Sequence, residues 1–182
     1  MLKRFLPVIY ADSVFDIELE KLRNEGVKAF IFDIDNTVAT YAMPVPDGRT
    51  AAWLKGLSDM GFGVYFVSNN SVKRVRIFAE SAGVPYIGRA MKPLRLCLRR
   101  ACREMGVKPQ ETALVGDQLF TDIWGGNRMG MVTVLVKPIS VSEDSFVHLK
   151  RGLERKILKK AGRIPAEKGR GDENKKNNGK AV

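Results

Sequence analysis

Short apolar runs alternate with helical patterns along most of this chain, and this alternation restricts its fold more than any other feature. The apolar runs, which predict buried strands, occupy residues 27–32, 63–67, 85–87, 112–115 and 132–136. The helical patterns lie between them, at residues 49–60, 71–82, 93–105 and 122–129. Strands that alternate with helices form parallel sheets covered on both faces. The sequence therefore predicts an α/β fold, a three-layer doubly wound parallel sheet.

Length and cysteine content exclude several other classes of protein. The 182 residues suit one domain of ordinary size, and 45 % of them are apolar, as a globular core requires. The two cysteines, Cys97 and Cys102, form neither a disulfide scaffold nor a Cys/His cluster for zinc. This cysteine usage favours a reducing compartment, and we expect a cytoplasmic protein.

Positive charge is concentrated at the C-terminal end of the chain. Residues 150–182 contain 12 Lys and Arg against 4 Asp and Glu, and so contribute +8 to the net charge of +11. The last residues also contain almost no apolar side chains, which is typical of disorder. We therefore predict an α/β domain over residues 1–148, a basic amphipathic helix over 149–164 and a disordered basic tail over 165–182.

The sequence leaves open what the basic helix contacts. Leu149, Leu153 and Ile157 have near-helical spacing and would pack on the sheet while the cations face water. Alternatively, the cations would bind anionic lipid at the inner membrane face, where each contributes about 1 kcal/mol. RNA is the weaker candidate partner, because few aromatic side chains are available for base stacking. The sequence defines no oligomeric state.

Polar and acidic side chains follow the predicted strands where each leaves the sheet. These segments are Asp33-Ile34-Asp35-Asn36-Thr37, Ser68-Asn69-Asn70, Lys92-Pro93 and Gly116-Asp117 with the following Thr121-Asp122. In a doubly wound sheet, ligands bind beyond the carboxyl ends of the strands. We therefore expect the four segments to meet in one site.

Phosphoryl transfer needs a nucleophile, a proton donor and positive charge, and these segments contain all three. Asp33 is the candidate nucleophile, which would form an aspartyl-phosphate. Asp35 is the candidate acid and base, which would protonate the leaving group and then deprotonate water. Lys92 would offset negative charge between nucleophile and phosphate and keep Asp33 ionised.

The remaining polar residues are candidates for holding the phosphate and a cation. The candidate phosphate-binding residues are Thr37, Ser68, Asn69 and Lys92. Magnesium prefers hard oxygen ligands and is the expected cofactor. Its candidate ligands are Asp33, Asp35 through its backbone carbonyl, Asp117 and Asp122.

The segments DIDNT, SNN, KP and GDxxxTD resemble the four motifs of the haloacid dehalogenase (HAD) superfamily, phosphatases with an aspartate nucleophile. A closer resemblance is to the YqeG-like phosphatases of subfamily IIIA, through the phrases FDIDNT, AMKPL and GDQxxTD. Ile34 and Val38 depart from the usual leucine without affecting the chemistry. The resemblance implies a magnesium-dependent phosphatase. Because eukaryotic relatives include phosphatidylglycerophosphate phosphatases, it also implies a lipid phosphate as a candidate substrate.

The intervals between the motifs are too short for a large cap domain. About 30 residues separate Thr37 from Ser68 and about 20 separate Asn70 from Lys92, whereas a folded domain needs at least about 50. We therefore predict an open site, suited to a phosphate carried by a lipid or a macromolecule. Two alternatives stay open at this point: phosphotransfer to an acceptor other than water, and a nucleic-acid- or ribosome-associated module that uses this fold without turnover.

Overall fold

The computed structural model describes residues 2–140, 152–154 and 156–159, and one parallel sheet organises them. Its strands are β1 (Ile9–Ala11), β2 (Ala29–Phe32), β3 (Gly63–Val67), β4 (Tyr86–Ile87), β5 (Thr112–Gly116) and β6 (Val132–Val136). All neighbouring pairs are parallel, and the strand order is β1-β6-β5-β2-β3-β4. The predicted α/β class is confirmed.

Helices cover both faces of the sheet. They are α1 (Leu19–Asn24), α2 (Gly48–Asp59), α3 (Val72–Ala82), α4 (Leu96–Glu104) and α5 (Trp124–Asn127). Phe30 and Phe32 of β2 point to one face, where they belong to the same buried cluster as residues of α1, α2 and α3. Ile31 between them points to the other face and shares a cluster with α4. Alternating side chains of a strand fully buried on both faces thus hold the three layers together.

Two elements were not predicted, and several boundaries differ from the sequence prediction. Neither β1, which pairs with β6, nor the short helix α1 was predicted. The helix predicted over 122–129 is the shorter α5, because a π-helical turn occupies Leu119–Ile123, and β2 begins at Ala29 instead of residue 27. Helix α4 begins at Leu96, whereas the pattern predicted a start at residue 93, because Leu94 N–H closes a turn on the Met91 carbonyl. The difference leaves the preceding Lys92 in a loop.

The described part of the C-terminal helix packs on the domain. Residues 152–154 and 156–159 are helical, and Leu158 is buried against Leu119, Ile123 and Leu135. Glu154 Oε1 accepts a hydrogen bond from the Phe120 backbone N–H at 3.2 Å. The rest of the predicted 149–164 helix, residues 141–148 and the predicted tail 165–182 lie outside the described residues. No helix among the described residues has the length and apolar character to span a bilayer.

The strand order places a topological switch point between β2 and β5. The chain runs from β2 to β3 and β4 on one side, then crosses to β5 and β6 on the other. Asp33, directly after β2, donates its backbone N–H to the Val115 carbonyl of β5 at 3.0 Å. The segments that follow these two strands therefore lie side by side where doubly wound sheets bind ligands.

No cap domain covers this edge within the described residues. The interval from Thr37 to Ser68 contains α2 and β3, and the interval from Asn70 to Lys92 contains α3 and β4. Each is a single connection between neighbouring strands. The predicted absence of a large cap agrees with this architecture.

Candidate active site

A buried ammonium group connects two of the predicted catalytic segments. Lys92 Nζ lies 3.0 Å from Asp33 Oδ1 and 2.7 Å from Asp122 Oδ1. The side chains of Lys92 and Asp122 have no solvent-exposed surface, and that of Asp33 is 10 % exposed. Removing two carboxylates and an ammonium from water is costly unless they pair, so this contact is held firmly in one arrangement.

The opposite charges of these three residues favour the ionised form of Lys92. Burial alone would lower the pKa of Lys92, but the negative charges of Asp122 and Asp33 outweigh it and raise that pKa above its ordinary value. Burial raises the pKa of the Asp122 carboxyl, and the Lys92 charge opposes that rise. Lys92 is therefore an ammonium at neutral pH and places a fixed positive charge beside Asp33.

Three carboxylates at the same edge form a site that fits a divalent cation. Asp33, Asp117 and Asp122 are buried, and one ligand oxygen from each lies within 4.8 Å of the others. Three carboxylates this close repel one another, and Mg²⁺ would offset that repulsion with hard positive charge. The Thr37 hydroxyl donates to Asp117 Oδ1 at 3.3 Å and orients that ligand. The residues present thus fit the expected cofactor.

The Asp122 carboxylate is positioned by an unusual turn and by a glycine. A π-helical turn over Leu119–Ile123 precedes α5, and such turns are frequent at functional sites. The Gln118 backbone N–H and the Thr121 hydroxyl donate to Asp122 Oδ2 at 3.2 and 3.3 Å. A Cβ at Gly116 would lie 2.3 Å from Asp122 Cγ. The glycine at the end of β5 is therefore required by the space that this carboxylate occupies.

Gly116→Ala tests that close approach. The added methyl group forces the Asp122 carboxylate away from Lys92, and we expect kcat to fall about 100-fold, as for a catalytic group displaced by about 1 Å. The unfolding free energy should fall by about 1–3 kcal/mol, as in other overpacked cores. Thermal unfolding and steady-state kinetics measure both.

Gly125→Ala is the matched control, because a Cβ there would lie 3.5 Å from its nearest neighbours, an ordinary contact. We expect this variant to keep the wild-type kcat. Equal behaviour of the two variants would contradict the role given to Gly116.

Asp35 is held by a pair of donors from the neighbouring connection. Its Oδ2 accepts from Asn70 Nδ2 at 2.8 Å, and its Oδ1 accepts from Arg74 Nη2 at 3.1 Å. Arg74 also donates to the carbonyls of Thr40 and Pro44, at 3.2 and 3.3 Å. Its guanidinium therefore fixes the Asp35 carboxylate and ties the loop after β2 to the first turn of α3.

The environment of Asp35 suits a group that exchanges protons. Burial raises the pKa of this carboxyl, and the hydrogen bond from Asn70 and the charge of Arg74 oppose the rise. A carboxyl with a raised pKa is a better proton donor near neutral pH. The Asp35 carboxylate is not part of the three-acid cluster, and a metal contact through its backbone carbonyl stays a prediction.

The predicted phosphate-binding residues lie at the same edge of the sheet but have different partners. Ser68 is buried, and its Oγ accepts from the Asn70 backbone N–H at 3.2 Å. Asn69 pairs with the Lys92 backbone at both ends of its amide: Nδ2 donates to the carbonyl at 3.1 Å, and Oδ1 accepts from the N–H at 2.6 Å. This pairing gives Asn69 a role in positioning Lys92, the candidate catalytic lysine. Phosphate contacts by Thr37, Ser68, Asn69 and Lys92 stay predictions.

Arg74 is a site residue that the sequence interpretation did not select, and Asn70, which belongs to the predicted Ser68-Asn69-Asn70 segment, was given no role of its own. One signal for Arg74 was available, because a basic residue in the first turn of a helix is opposed by the helix dipole and so needs another partner. That partner is Asp35, which precedes it by 39 residues. Only the folded arrangement shows this contact.

A pocket of about 350 Å³ adjoins the site beside Thr37. It lies between the loops after β1, β2 and β6 and the start of α2. Val14, Val38 and Met43 line it with apolar surface, and Asp47 and Arg49 line it with charge. Thr37 lines this pocket and so connects it to the predicted phosphate-binding residues.

Comparisons with known proteins agree with this fold. A HAD-hydrolase-like family model matches residues 90–141, which include Lys92, Asp117 and Asp122. Among solved structures, the cobalt-bound deoxy-D-mannose-octulosonate 8-phosphate phosphatase of Haemophilus influenzae aligns with a TM-score of 0.52 and 17 % identity. The alignment covers 78 % of this chain and 92 % of that one, and at this identity it shows the fold alone. The protein has the HAD phosphatase fold, with the acidic cluster at its switch point.

Curated relatives define the family more narrowly. A Bacillus subtilis (strain 168) protein named "Probable phosphatase YqeG" is 39 % identical over 171 residues, covering 92 % of this chain and 99 % of the relative. The chain belongs to this YqeG-like family of HAD phosphatases, and it is a phosphoric monoester hydrolase.

A more distant relative is the Arabidopsis thaliana phosphatidylglycerophosphate phosphatase 1, chloroplastic/mitochondrial. It is 27 % identical over 165 residues, which cover 85 % of this chain and 47 % of the relative. The chain thus spans about half the length of that protein.

Proposed function

We propose that the protein hydrolyses a phosphomonoester with Mg²⁺ through an aspartyl-phosphate on Asp33, and that its substrate is a lipid phosphate of the phosphatidylglycerophosphate class. The observation that carries the proposal is the buried Lys92 ammonium between Asp33 and Asp122, beside Asp117. A structural ion pair has no need of a third acid at the same edge. A phosphatase needs all of these groups.

The residues perform the reaction in two displacements. A carboxylate oxygen of Asp33 attacks phosphorus, and the bond from phosphorus to the leaving oxygen breaks while Asp35 donates a proton to that oxygen. Asp35, now a carboxylate, takes a proton from water, whose oxygen attacks phosphorus and releases inorganic phosphate and Asp33. Bound by Asp33, Asp117 and Asp122, Mg²⁺ would supply positive charge that neutralises the phosphoryl oxygens. The Lys92 ammonium lies beside Asp33 and holds this side chain in place throughout.

The open edge of the sheet and the name of the Arabidopsis relative support the lipid substrate. An uncapped site admits a phosphate that projects from a membrane, and the pocket beside Thr37 would take the adjoining part of the leaving group. A small free metabolite would leave most of its surface in water, since no cap encloses it among the described residues.

A substrate and metal screen tests the proposal. We expect Mg²⁺-dependent release of phosphate from p-nitrophenyl phosphate, loss of that activity with a chelator, and recovery when Mg²⁺ returns. Among lipid, nucleotide and sugar phosphates, kcat/KM should be highest for phosphatidylglycerophosphate in mixed micelles. Full activity in the chelator would contradict the metal requirement. A nucleotide or sugar phosphate hydrolysed with higher kcat/KM would contradict the lipid assignment.

Arg74→Gln tests the orientation of the acid and base. Without the guanidinium charge, the pKa of Asp35 rises further, because burial is less opposed. Asp35 must be ionised to accept a proton from water, so the acidic limb of the kcat profile should move to higher pH. We also expect kcat at neutral pH to fall about 10- to 100-fold, because the carboxylate loses a fixed hydrogen bond.

The matched control for Arg74 is Arg76→Gln, a change of an exposed arginine on the same helix. This control should retain the wild-type kcat and pH profile. An Arg74→Gln enzyme with an unshifted acidic limb would contradict the proposed contact with Asp35 in the working enzyme.

A further inference from the structure

Exposed apolar side chains are concentrated around the mouth of the site. Of the ten large apolar side chains that are exposed among the described residues, seven lie in segments that follow the carboxyl ends of strands. They are Tyr41, Val45, Val72, Met91, Leu94, Leu96 and Ile139. Leu96 is 76 % exposed and Met91 is 65 % exposed. A group of exposed apolar side chains at one end of a protein indicates an interaction site for a protein, a membrane or a ligand.

Positive charge is concentrated on the same side of the site. Residues 68–100 contain eight Lys and Arg and a single acidic residue, Glu80. Arg74 and Lys92 are paired with catalytic carboxylates, whereas Lys73 and Arg89 are exposed. The flank formed by α3, β4 and α4 therefore presents cations beside the exposed apolar residues.

The two features combine in one surface, the basic apolar rim, which consists of Val72, Lys73, Arg89, Met91, Leu94, Arg95 and Leu96. Its two segments, residues 72–73 and 89–96, come from adjacent parts of the fold. The Arg89 backbone N–H donates to the Asn70 carbonyl at 2.8 Å, and a Cβ at Gly88 would lie 2.8 Å from Val72 Cα. Met91 directly precedes Lys92. The basic apolar rim therefore borders the catalytic groups.

We propose that the basic apolar rim docks on an anionic phospholipid bilayer, so that the open site faces the lipid headgroups. At a bilayer surface, apolar side chains enter the acyl boundary while Lys and Arg meet the phosphates. This proposal rests on the proposed function and names the surface that would bring the enzyme to a lipid phosphate.

Other occupants fit the rim less well. A second copy in a two-fold contact would bring this basic surface against itself, and the cations would repel one another. RNA would be held by aromatic side chains that stack on bases, and the rim contains none. An anionic bilayer offers phosphates to the cations and an apolar boundary to the leucines.

Cosedimentation of the full chain with vesicles tests the docking surface. The vesicles are either phosphatidylglycerol mixed with phosphatidylcholine or phosphatidylcholine alone. Lys73→Glu should weaken binding to the anionic vesicles by about fivefold for each unit of charge lost. Leu96→Ser should weaken it about tenfold by removing an inserted side chain.

Matched controls separate the rim from other parts of the surface. Lys21→Glu changes an exposed lysine on α1, and Ile77→Ser changes an exposed apolar residue in the middle of α3. Both should bind the vesicles within twofold of wild type. The basic segment 150–182 is common to every variant, so differences between variants report on the rim. Equal losses in rim and control variants would overturn the proposal.

A second readout reports insertion directly. Leu96→Trp and Ile77→Trp each add one tryptophan to the constant background of Trp53 and Trp124. Brominated lipid should quench the added fluorescence at position 96 and leave that at position 77 unchanged. Quenching at neither position would overturn the proposal.

Hydrolysis of p-nitrophenyl phosphate by the same preparations tests the proposed function separately. Vesicle binding that the rim substitutions weaken, in the absence of hydrolysis, would support the docking surface and overturn the proposed function. Hydrolysis together with vesicle binding that the rim substitutions do not change would overturn the docking surface and leave the proposed function in place. Rim variants that lose RNA binding or self-association, with vesicle binding unchanged, would also overturn the docking proposal.

Discussion

Asp33→Asn should abolish turnover, with kcat reduced by about 10⁴-fold or more, the scale seen when a catalytic nucleophile is removed. The amide keeps the shape of the side chain but cannot attack phosphorus, and it also removes one of the three carboxylates at the metal site. Stopped assays with p-nitrophenyl phosphate, run with Mg²⁺ in excess, measure the loss. The far-ultraviolet circular dichroism spectrum should be unchanged.

The control for this substitution is Asp59→Asn, which neutralises an acid that pairs with Lys55 on the outer surface of α2. It should retain the wild-type kcat. An Asp33→Asn enzyme with wild-type turnover would contradict the nucleophile assignment, whatever its affinity for Mg²⁺.

Lys92→Met should cost both activity and stability. The fully buried Asp122 loses its cation, and breaking a buried ion pair from one side costs about 3–5 kcal/mol. We expect this loss in urea or thermal unfolding without Mg²⁺, and a smaller loss with Mg²⁺, because the metal supplies some of the missing positive charge. Turnover should fall by at least about 100-fold, since the fixed charge beside Asp33 is gone.

A double variant separates the two effects of Lys92. In Lys92→Met/Asp122→Asn no unpaired charge remains at position 122, so part of the unfolding free energy should return. The effects of the two substitutions on stability are not additive, because the two side chains are in contact. Turnover should not return, because a metal ligand is also lost. Unchanged stability in Lys92→Met would contradict the buried ion pair, and full turnover would contradict its catalytic role.

The sequence predicted the sheet well where strands are long and apolar. The runs at residues 63–67 and 132–136 match β3 and β6 at both ends, because an uninterrupted apolar run marks a buried strand. It did not predict β1, whose three residues are too short to show a period and which exists through its pairing with β6. Edge strands of this length depend on tertiary contacts.

The site was predictable to the extent that it follows from topology. Asp33 and Asp117 come after β2 and β5, and parallel strands place their carboxyl ends at one edge, so their meeting follows from the strand pattern. The contact of Arg74 with Asp35 depends on how α3 lies against the loop after β2. The need for glycine at position 116 depends on where Asp122 packs. Both features depend on tertiary packing, which the local sequence does not encode.

Trapping the phosphoryl group on the enzyme shows whether Asp33 is the nucleophile. The enzyme is quenched in acid during turnover of a ³²P-labelled phosphomonoester, and the trapped acyl phosphate is then reduced with borohydride. We predict protein-bound ³²P before reduction and homoserine at position 33, identified by mass spectrometry of the digested chain, with neither in Asp33→Asn. Homoserine at another aspartate, or turnover without any protein-bound ³²P, would show that Asp33 does not carry the phosphoryl group.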